Sequence, residues 1–353
     1  MRVLITGGAG FVGSNLGIKI RQHFTDSEVI AFDNLKRRGS ELNLSRLKQH
    51  GIQFFHGDVR MKSDFEELPE VDFVIDASAE PSVLSGLNSS PDYLIDTNFQ
   101  GTINCLNYAV KSSARMIFIS TSRVYPIARL NEIQFTEAET RFEISSHPGV
   151  AGCTTEGITE AFPVQGPRSL YGATKLASEL MIEEYREFLN VPSIINRCGV
   201  ITGPYQMGKV DQGVVVLWLA KHYYNKSLAY FGFNGTGKQV RDILHIDDLF
   251  SLVADQLKHF DKYEGHTLNA GGGRNCSVSL KELTGICRDL TGNTIPIQEV
   301  KEERVADVRI YLTDNSFATS LNNWSPKHTP ESVMEDIYRW LHDNNKQLEP
   351  ILS

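Results

Sequence analysis

The feature that most constrains this chain is a glycine turn set between a strand and a helix. Arg2-Val3-Leu4-Ile5-Thr6 is a short run of the kind that forms a strand buried on both faces. It leads directly into Gly7-Gly8-Ala9-Gly10-Phe11-Val12-Gly13, after which residues 11–24 carry a helical pattern. Read from Gly8 the turn is G-x-G-x-x-G, and read from Gly7 it is G-x-x-G-x-x-G. Glycine serves where a chain turns tightly and where backbone N–H groups must approach a pyrophosphate, and the helix behind the turn adds partial positive charge. A second strand over 28–32 ends at Asp33, roughly 20 residues past Gly13, where a carboxylate can take both hydroxyls of an adenosine ribose. The same charge would repel a 2′-phosphate, so NAD is expected rather than NADP. Lys36, Arg37 and Arg38 follow closely and pull the other way. Asp58 and Val59, past a third strand, are placed to flank the adenine.

The opening sets a rhythm. Strands are expected at 52–56, 73–76, 116–120 and 193–197, with helices between them, clearest at 93–111 and 171–189. Strands alternating with helices imply right-handed βαβ units and a Rossmann-type, doubly wound parallel sheet. At 353 residues the chain exceeds what one hydrophobic core usually organises. We expect an α/β architecture with an NAD-binding domain over 1–196, rejoined by a return segment at about 238–270. A smaller, mixed α/β substrate-binding lobe is expected from 197–237 and 271–345. The stretch 126–167, rich in Glu, Thr, Gly and Pro, reads as a long loop, and loops of that length usually serve a function.

Composition narrows the function classes. Thirty-five basic and 43 acidic residues give a net charge of −8 with no Lys/Arg block, which argues against nucleic acid as a partner. Cys105, Cys153, Cys198, Cys276 and Cys287 form no CxxC pair, and an odd count without a framework suggests reduced thiols in a cytoplasmic protein. No HExxH or H-x-H cluster supports a metal site. No leader and no apolar run of 18 residues is visible, so neither secretion nor a membrane span is expected.

The chemistry centres on Tyr171-Gly172-Ala173-Thr174-Lys175. Residues four apart share a helix face, and a lysine ammonium held there lowers the tyrosine pKa, making its phenolate a usable base. Ser120-Thr121-Ser122-Arg123-Val124-Tyr125 is a hydroxyl-rich turn at a strand carboxyl end, where such folds bind ligands. Thr121 there can share a proton with Tyr171 and a substrate hydroxyl, although by itself it can also serve only as a helix cap.

With these motifs the chain resembles the extended short-chain dehydrogenase/reductase (NAD-dependent epimerase/dehydratase) family, whose members act on nucleotide-activated sugars. The likeness covers almost the whole chain. It rests on Thr6 to Gly13, Asn98-x-x-Gly101-Thr102, the Ser/Thr turn, Tyr171-x-x-x-Lys175, Arg241-Asp242-Ile243-Leu244-His245, and Arg304-x-x-Asp307 with Asp314 beyond. It implies Thr121, Tyr171 and Lys175 as catalytic residues. It implies cofactor contacts from Gly7, Gly10, Phe11, Val12, Gly13, Asp33, Asn34, Arg37, Asp58, Val59, Ala77, Ala79, Asn98, Ser120, Tyr171, Lys175 and Cys198. Substrate contacts are implied at Glu80, Thr121, Ser122, Arg123, Val200, Gln212, Arg241, Arg304 and Asp307. Arg241 and Arg304 suit phosphate, because a planar fork binds oxyanions bidentately.

Two departures narrow the choice. Members that dehydrate carry Asp-Glu after the catalytic Thr, where this chain has Ser122-Arg123. Four-epimerases commonly carry Asn three residues after the arginine ending the next strand, whereas Arg197 is followed by Cys198-Gly199-Val200. Both departures are similar to the CDP-tyvelose (CDP-paratose) 2-epimerase branch. So are Val210-Asp211-Gln212-Gly213, the run from Gly237 to His245, and Trp324-Ser325-Pro326-Lys327. That branch implies a CDP-hexose substrate, a place in lipopolysaccharide O-antigen synthesis, and inversion of a sugar carbon by transient oxidation. A 4-epimerase or a reductase of the same family stays open, with a 4,6-dehydratase ranked below them. A non-enzymatic dinucleotide sensor stays open too, although sensors typically lose the Tyr–Lys pair. Relatives pair two helices across a twofold axis. Residues Phe99, Ile103, Leu106 and Val110, with Leu176, Leu180, Ile182 and Tyr185, are expected to supply the second apolar stripe that a homodimer or homotetramer would bury.

Overall fold

The computed structural model describes residues 1–87, 89–208, 212–303 and 306–353. They sort into two compact units. One comprises Met1–Val124, Ser169–Arg197 and Phe250–Leu268, and the other Tyr125–Arg168, Cys198–Leu249 and Asn269–Ser353.

The first unit is built on a seven-stranded sheet. Its strands β1 (Arg2–Thr6), β2 (Glu28–Asp33), β3 (Gln53–His56), β4 (Phe73–Asp76) and β5 (Arg115–Thr121) lie in the order β3-β2-β1-β4-β5, followed by Ser193–Cys198 and Thr267–Ala270. β1 pairs in parallel with β2 on one side and β4 on the other, so the strand order reverses there. Such a reversal opens a crevice at the strand carboxyl ends, and the glycine turn leaves β1 at that point. The doubly wound expectation from the β-branched runs is met.

The helix expected at 93–111 is not regular. Asp92–Ile95 and Gly101–Ser112 are α-helical, and Asp96–Gln100 between them is a π turn. Single π turns inside helices concentrate at functional sites, and this one holds Asn98. The helix Leu170–Leu189 begins at Ser169, whose Oγ accepts the Gly172 amide at 3.2 Å. Leu106 and Ile182 are buried in the core with Leu4, Ile30, Phe118 and Ile195, so their assignment to a second stripe is corrected. At 3.6 residues per turn, Leu106 shares the sheet-facing side with Cys105 and Ala109. A charge at Leu106 would disrupt the core of a single chain. Val110 and Leu180 are exposed, Leu180 by 57%.

In the second unit, Val240–His245 pairs antiparallel with Ser277–Ser279 and parallel with both Ile310–Tyr311 and Val200–Thr202. Leu228–Phe231 and Ile297–Val300 form a separate parallel pair. Helices Val214–Tyr223, Leu280–Thr291 and Pro330–Asp343 pack on one another. The stretch expected as a plain loop holds the helix Ile127–Asn131 and a hairpin of Phe135–Glu137 with Phe142–Ile144. Strands of three residues are too short to leave a period in the sequence. All five cysteines are free thiols. Among the described residues no helix is long and apolar enough to cross a membrane.

Candidate active site

The glycine turn is packed to its limit. Gly7 has φ +64°, and a Cβ there would lie 2.8 Å from the Ala77 carbonyl oxygen; a Cβ on Gly13 would lie 2.2 Å from that of Gly7. Gly10 caps the helix Phe11–His23 in an extended conformation and, as glycine, offers it no side-chain cap. The first amides of a helix have no intrahelical partner, so those of Phe11, Val12 and Gly13 suit an anion.

Asp33 ends β2 beside this turn. Its Oδ2 accepts the Ala9 amide at 3.1 Å and its Oδ1 the Leu35 amide at 2.7 Å. A carboxylate offers about four lone-pair sites, so capacity remains for a ribose hydroxyl. Burial pushes the carboxyl above its ordinary range, against the amides of Leu35, Ala9 and Gly10, and further donors would relieve it. The turn and the carboxylate therefore fit a dinucleotide.

Asp58 lies past β3. Burial alone would raise its carboxyl, but Arg60 and Asn34 outweigh that and hold it at about 2. The Asn34 amide donates to it at 2.9 Å, and the Arg60 guanidinium, 2.7 Å away, lies over the Tyr93 ring. The Val59 carbonyl accepts from Asn104 at 2.8 Å. Arg37 sits in the loop after β2, and Ala77 and Ala79 follow β4.

Asn98 is fixed from three sides. Its side-chain oxygen accepts the Glu80 amide at 2.7 Å, its amide donates to the Glu80 carbonyl and to Thr174 Oγ1, and its own carbonyl accepts Ser178 Oγ at 2.9 Å. The Glu80 carboxylate itself accepts the Ser82 amide at 3.2 Å. At the end of β4, buried Asp76 accepts hydroxyls from Thr6, Ser78 and Thr102. The sequence reading passed over this hub, although Thr6 and Thr102 stand inside the motifs it used.

Tyr171 occupies the first turn of Leu170–Leu189 and Lys175 the next, only 1% exposed, with Nζ 3.8 Å from the Phe118 ring centroid. Thr121 ends β5, and its hydroxyl oxygen accepts the Arg123 amide at 3.2 Å. An accepting hydroxyl keeps its proton for donation, so the capping role and a catalytic one are compatible. Ser122 and Arg123 form the following turn. Ser120 donates to Glu179, a residue the sequence reading missed; its signal is the four-residue polar spacing Tyr171, Lys175, Glu179 on one helix face.

The second unit holds the remaining candidates. Cys198 is buried, Val200 opens a strand, and Gln212 is half-buried, its Oε1 without a partner among the described residues. The Arg241 guanidinium donates to the Val240 carbonyl at 2.7 Å and to Asp307 Oδ1 at 2.9 Å. Burial lowers the Arg241 pKa while Asp307 opposes it. Arg304, Val210 and Asp211 lie outside the described residues.

Among the described residues one group could hold a metal, His245, His328 and Asp336. His245 Nδ1 accepts the Asp247 amide at 3.2 Å, which leaves the ring proton on Nε2, the atom nearest Asp336. A proton on Nε2 occupies the lone pair that a metal would need.

Several known proteins are similar to this chain over nearly its whole length. Residues 3–271 match the model of the NAD dependent epimerase/dehydratase family. The CDP-paratose 2-epimerase of Salmonella typhi is 30% identical over 96% of this chain and 99% of its own length. The UDP-glucuronate 4-epimerase of Thermodesulfobacterium geofontis is 27% identical over 99% of this chain and 98% of its own. The dTDP-glucose 4,6-dehydratase of Streptomyces venezuelae, solved with NAD bound, superposes with a TM-score of 0.80 at 27% identity, covering 99% of this chain and all of that one.

Proposed function

From the premise that the chain belongs to the NAD dependent epimerase/dehydratase family, we propose that it is an NAD-dependent nucleotide-sugar epimerase of the CDP-paratose/CDP-tyvelose 2-epimerase type. The observation that carries this reading is the buried Lys175 one turn from Tyr171. An ammonium held out of water favours the phenolate beside it. The likeness to the Salmonella typhi 2-epimerase supports the choice of branch. So does Ser122-Arg123 in place of an Asp-Glu pair, since neither side chain suits the acid–base loss of water.

NAD, when bound, supplies a hydride acceptor that returns the same hydride. The glycine turn, the first amides of Phe11–His23 and Asp33 would hold it, with Asn34, Asp58 and Asn98 shaping the surroundings. Tyr171 takes the proton of the sugar hydroxyl as the carbon-bound hydrogen leaves, and gives it back when the ketone is reduced on its other face. Thr121 donates to the same oxygen. Lys175 keeps Tyr171 poised between its two protonation states. Arg241 and Asp307, in the second unit, are assigned to the nucleotide part of the substrate.

Purified protein incubated with a panel of CDP- and UDP-sugars should invert one carbon at constant mass, read by NMR and mass spectrometry. Inversion at C4 would replace the 2-epimerase with the 4-epimerase reading, and release of NADH with a ketone product would replace both with a dehydrogenase. Denatured wild type should release NAD, and Asp33→Ala should retain less of it. Release of NADP alone overturns the Asp33 assignment.

Val110, Leu180, Phe188 and Leu189 leave apolar area exposed on the two helices, and we assign a homodimer or homotetramer through that face. Leu180→Glu should shift the mass seen by light scattering to the monomer. A wild-type monomer at micromolar concentration removes the assignment.

A further inference from the structure

Glu179 is 2% exposed, and its carboxylate pairs with Arg197 inside the first unit. Arg197, at the end of the strand Ser193–Cys198, meets it with a fork. Nε lies 3.2 and 3.0 Å from the two carboxylate oxygens, and Nη2 lies 2.7 Å from Oε2. Ser120, at the end of the adjacent strand β5, donates its hydroxyl to Oε1. One carboxylate thus ties the helix Leu170–Leu189 to the carboxyl ends of two neighbouring strands.

Burying such a pair is expensive, and apolar side chains of similar volume often stabilise a core as well or better. What the pair adds is direction. An apolar stripe lets a helix roll slightly on a sheet, whereas a bidentate fork and one hydroxyl accept a single rotation.

We propose that Glu179 is a positioning residue, which with Arg197 and Ser120 fixes the rotation of the helix and so the reach of Tyr171 toward Thr121. The inference rests on the reading of Tyr171 as the base. The stripe is continuous, since Tyr171, Lys175 and Glu179 recur every four residues on one face. Cα atoms lie about 2.3 Å from a helix axis and a tyrosine hydroxyl about 6.5 Å further, so a roll of about 10° moves it about 1.5 Å. A misplacement of about 1 Å can cost about 10²-fold in rate. Ser120 fixes the other partner, because Thr121 is its neighbour on β5.

The test uses the NAD-loaded holoenzyme and the variants Glu179→Ala, Glu179→Gln, Ser120→Ala and the double variant Ser120→Ala/Glu179→Gln. Turnover per bound NAD should fall by about 10²-fold in Glu179→Ala with KM unchanged. The Gln variant should recover part of the loss, because its amide can still meet both partners. Ser120→Ala and Glu179→Gln should be non-additive in kcat. In protein labelled with ¹³C-tyrosine, the Tyr171 ring signal, assigned by its loss in Tyr171→Phe, should shift or broaden in Ser120→Ala and Glu179→Gln. Both are mild enough to fold if Glu179→Ala does not.

An unmoved Tyr171 signal, additive kcat effects, or a loss that follows NAD content and KM would overturn the positioning role. If the signal moves but the wild type turns over no nucleotide sugar, the functional reading fails and the lock stands.

Discussion

Glu179 in the first unit and Asp242 in the second are both deeply buried carboxylates, and they are satisfied in opposite ways. Glu179 in the first unit is met by the Arg197 fork and a serine hydroxyl. Asp242 in the second makes no ion pair among the described residues; its Oδ2 accepts the Gly273 amide at 3.1 Å and the Thr313 amide at 3.2 Å, and its Oδ1 has no hydrogen-bond partner among them. The difference between these two residues matches their places in the fold. A parallel sheet brings strand carboxyl ends to one edge, where side chains of successive elements can converge. In the second unit the strands are two to six residues long and the connections between them supply backbone amides instead. On the proposed function, the first unit would aim groups at a reacting atom and the second would hold segments that bind.

The sharpest way to break this contrast is at Tyr171. If the first unit carries the chemistry, Tyr171→Phe should lower kcat by about 10²–10⁴ while NAD content and KM stay near wild type. Single-turnover kinetics with a substrate identified from the sugar panel would show it. A near-normal rate would remove the base from this helix and with it the functional reading.

A smaller effect, of the other kind, is expected from Arg241→Lys. Lysine keeps a positive charge for Asp307 but loses the planar fork. One lost charge-assisted hydrogen bond is worth about 1.5–3 kcal/mol, so KM for the nucleotide sugar should rise about tenfold or more with kcat little changed. A kcat effect without a KM effect would place Arg241 with the chemistry and blur the division.

The sequence made the first unit far more legible than the second, for the same reason. Buried parallel strands leave apolar runs, and the turns at their ends are motifs in which Gly7, Gly13, Asp33, Asn98, Tyr171 and Lys175 can be recognised one by one. Glu179 escaped because a charged residue in a helix usually reads as surface, and although Arg197 stands at its strand end in the sequence, only the fold shows the two facing each other. The π turn at Asp96–Gln100 left no trace in the spacing, since one extra residue in a turn hardly disturbs a helical pattern. In the second unit, three-residue strands such as Phe142–Ile144 carry no period. Leu106 went to the wrong face because it sits where a wide apolar stripe wraps from sheet to solvent.

The smallest effect is a slope in stability with pH, and it tests the difference between the two kinds of carboxylate directly. Burial, opposed by hydrogen bonds from Thr313 and Gly273, pushes the Asp242 carboxyl up to about 6. An unfolded aspartate titrates at about 3.9. Between those values the folded chain binds more protons than the unfolded one, so this group's contribution is fully present below about pH 4 and is lost as pH rises toward 6. The loss is at most about 1.4 kcal/mol per pH unit. Asp58 in the first unit acts in the opposite sense. Held at about 2 by Arg60 and Asn34 against the cost of burial, it stabilises above its unfolded pKa and loses that contribution as pH falls toward 2. Asp242→Asn keeps an oxygen for the two amides and cannot ionise. Urea unfolding of variant and wild type at pH 4.5 and 6.5 should show the variant gaining relative to wild type at the higher pH. Parallel pH dependence in the two proteins would mean that Asp242 is charged in the native state, with a cation or water meeting its Oδ1, and the contrast between the units would be gone.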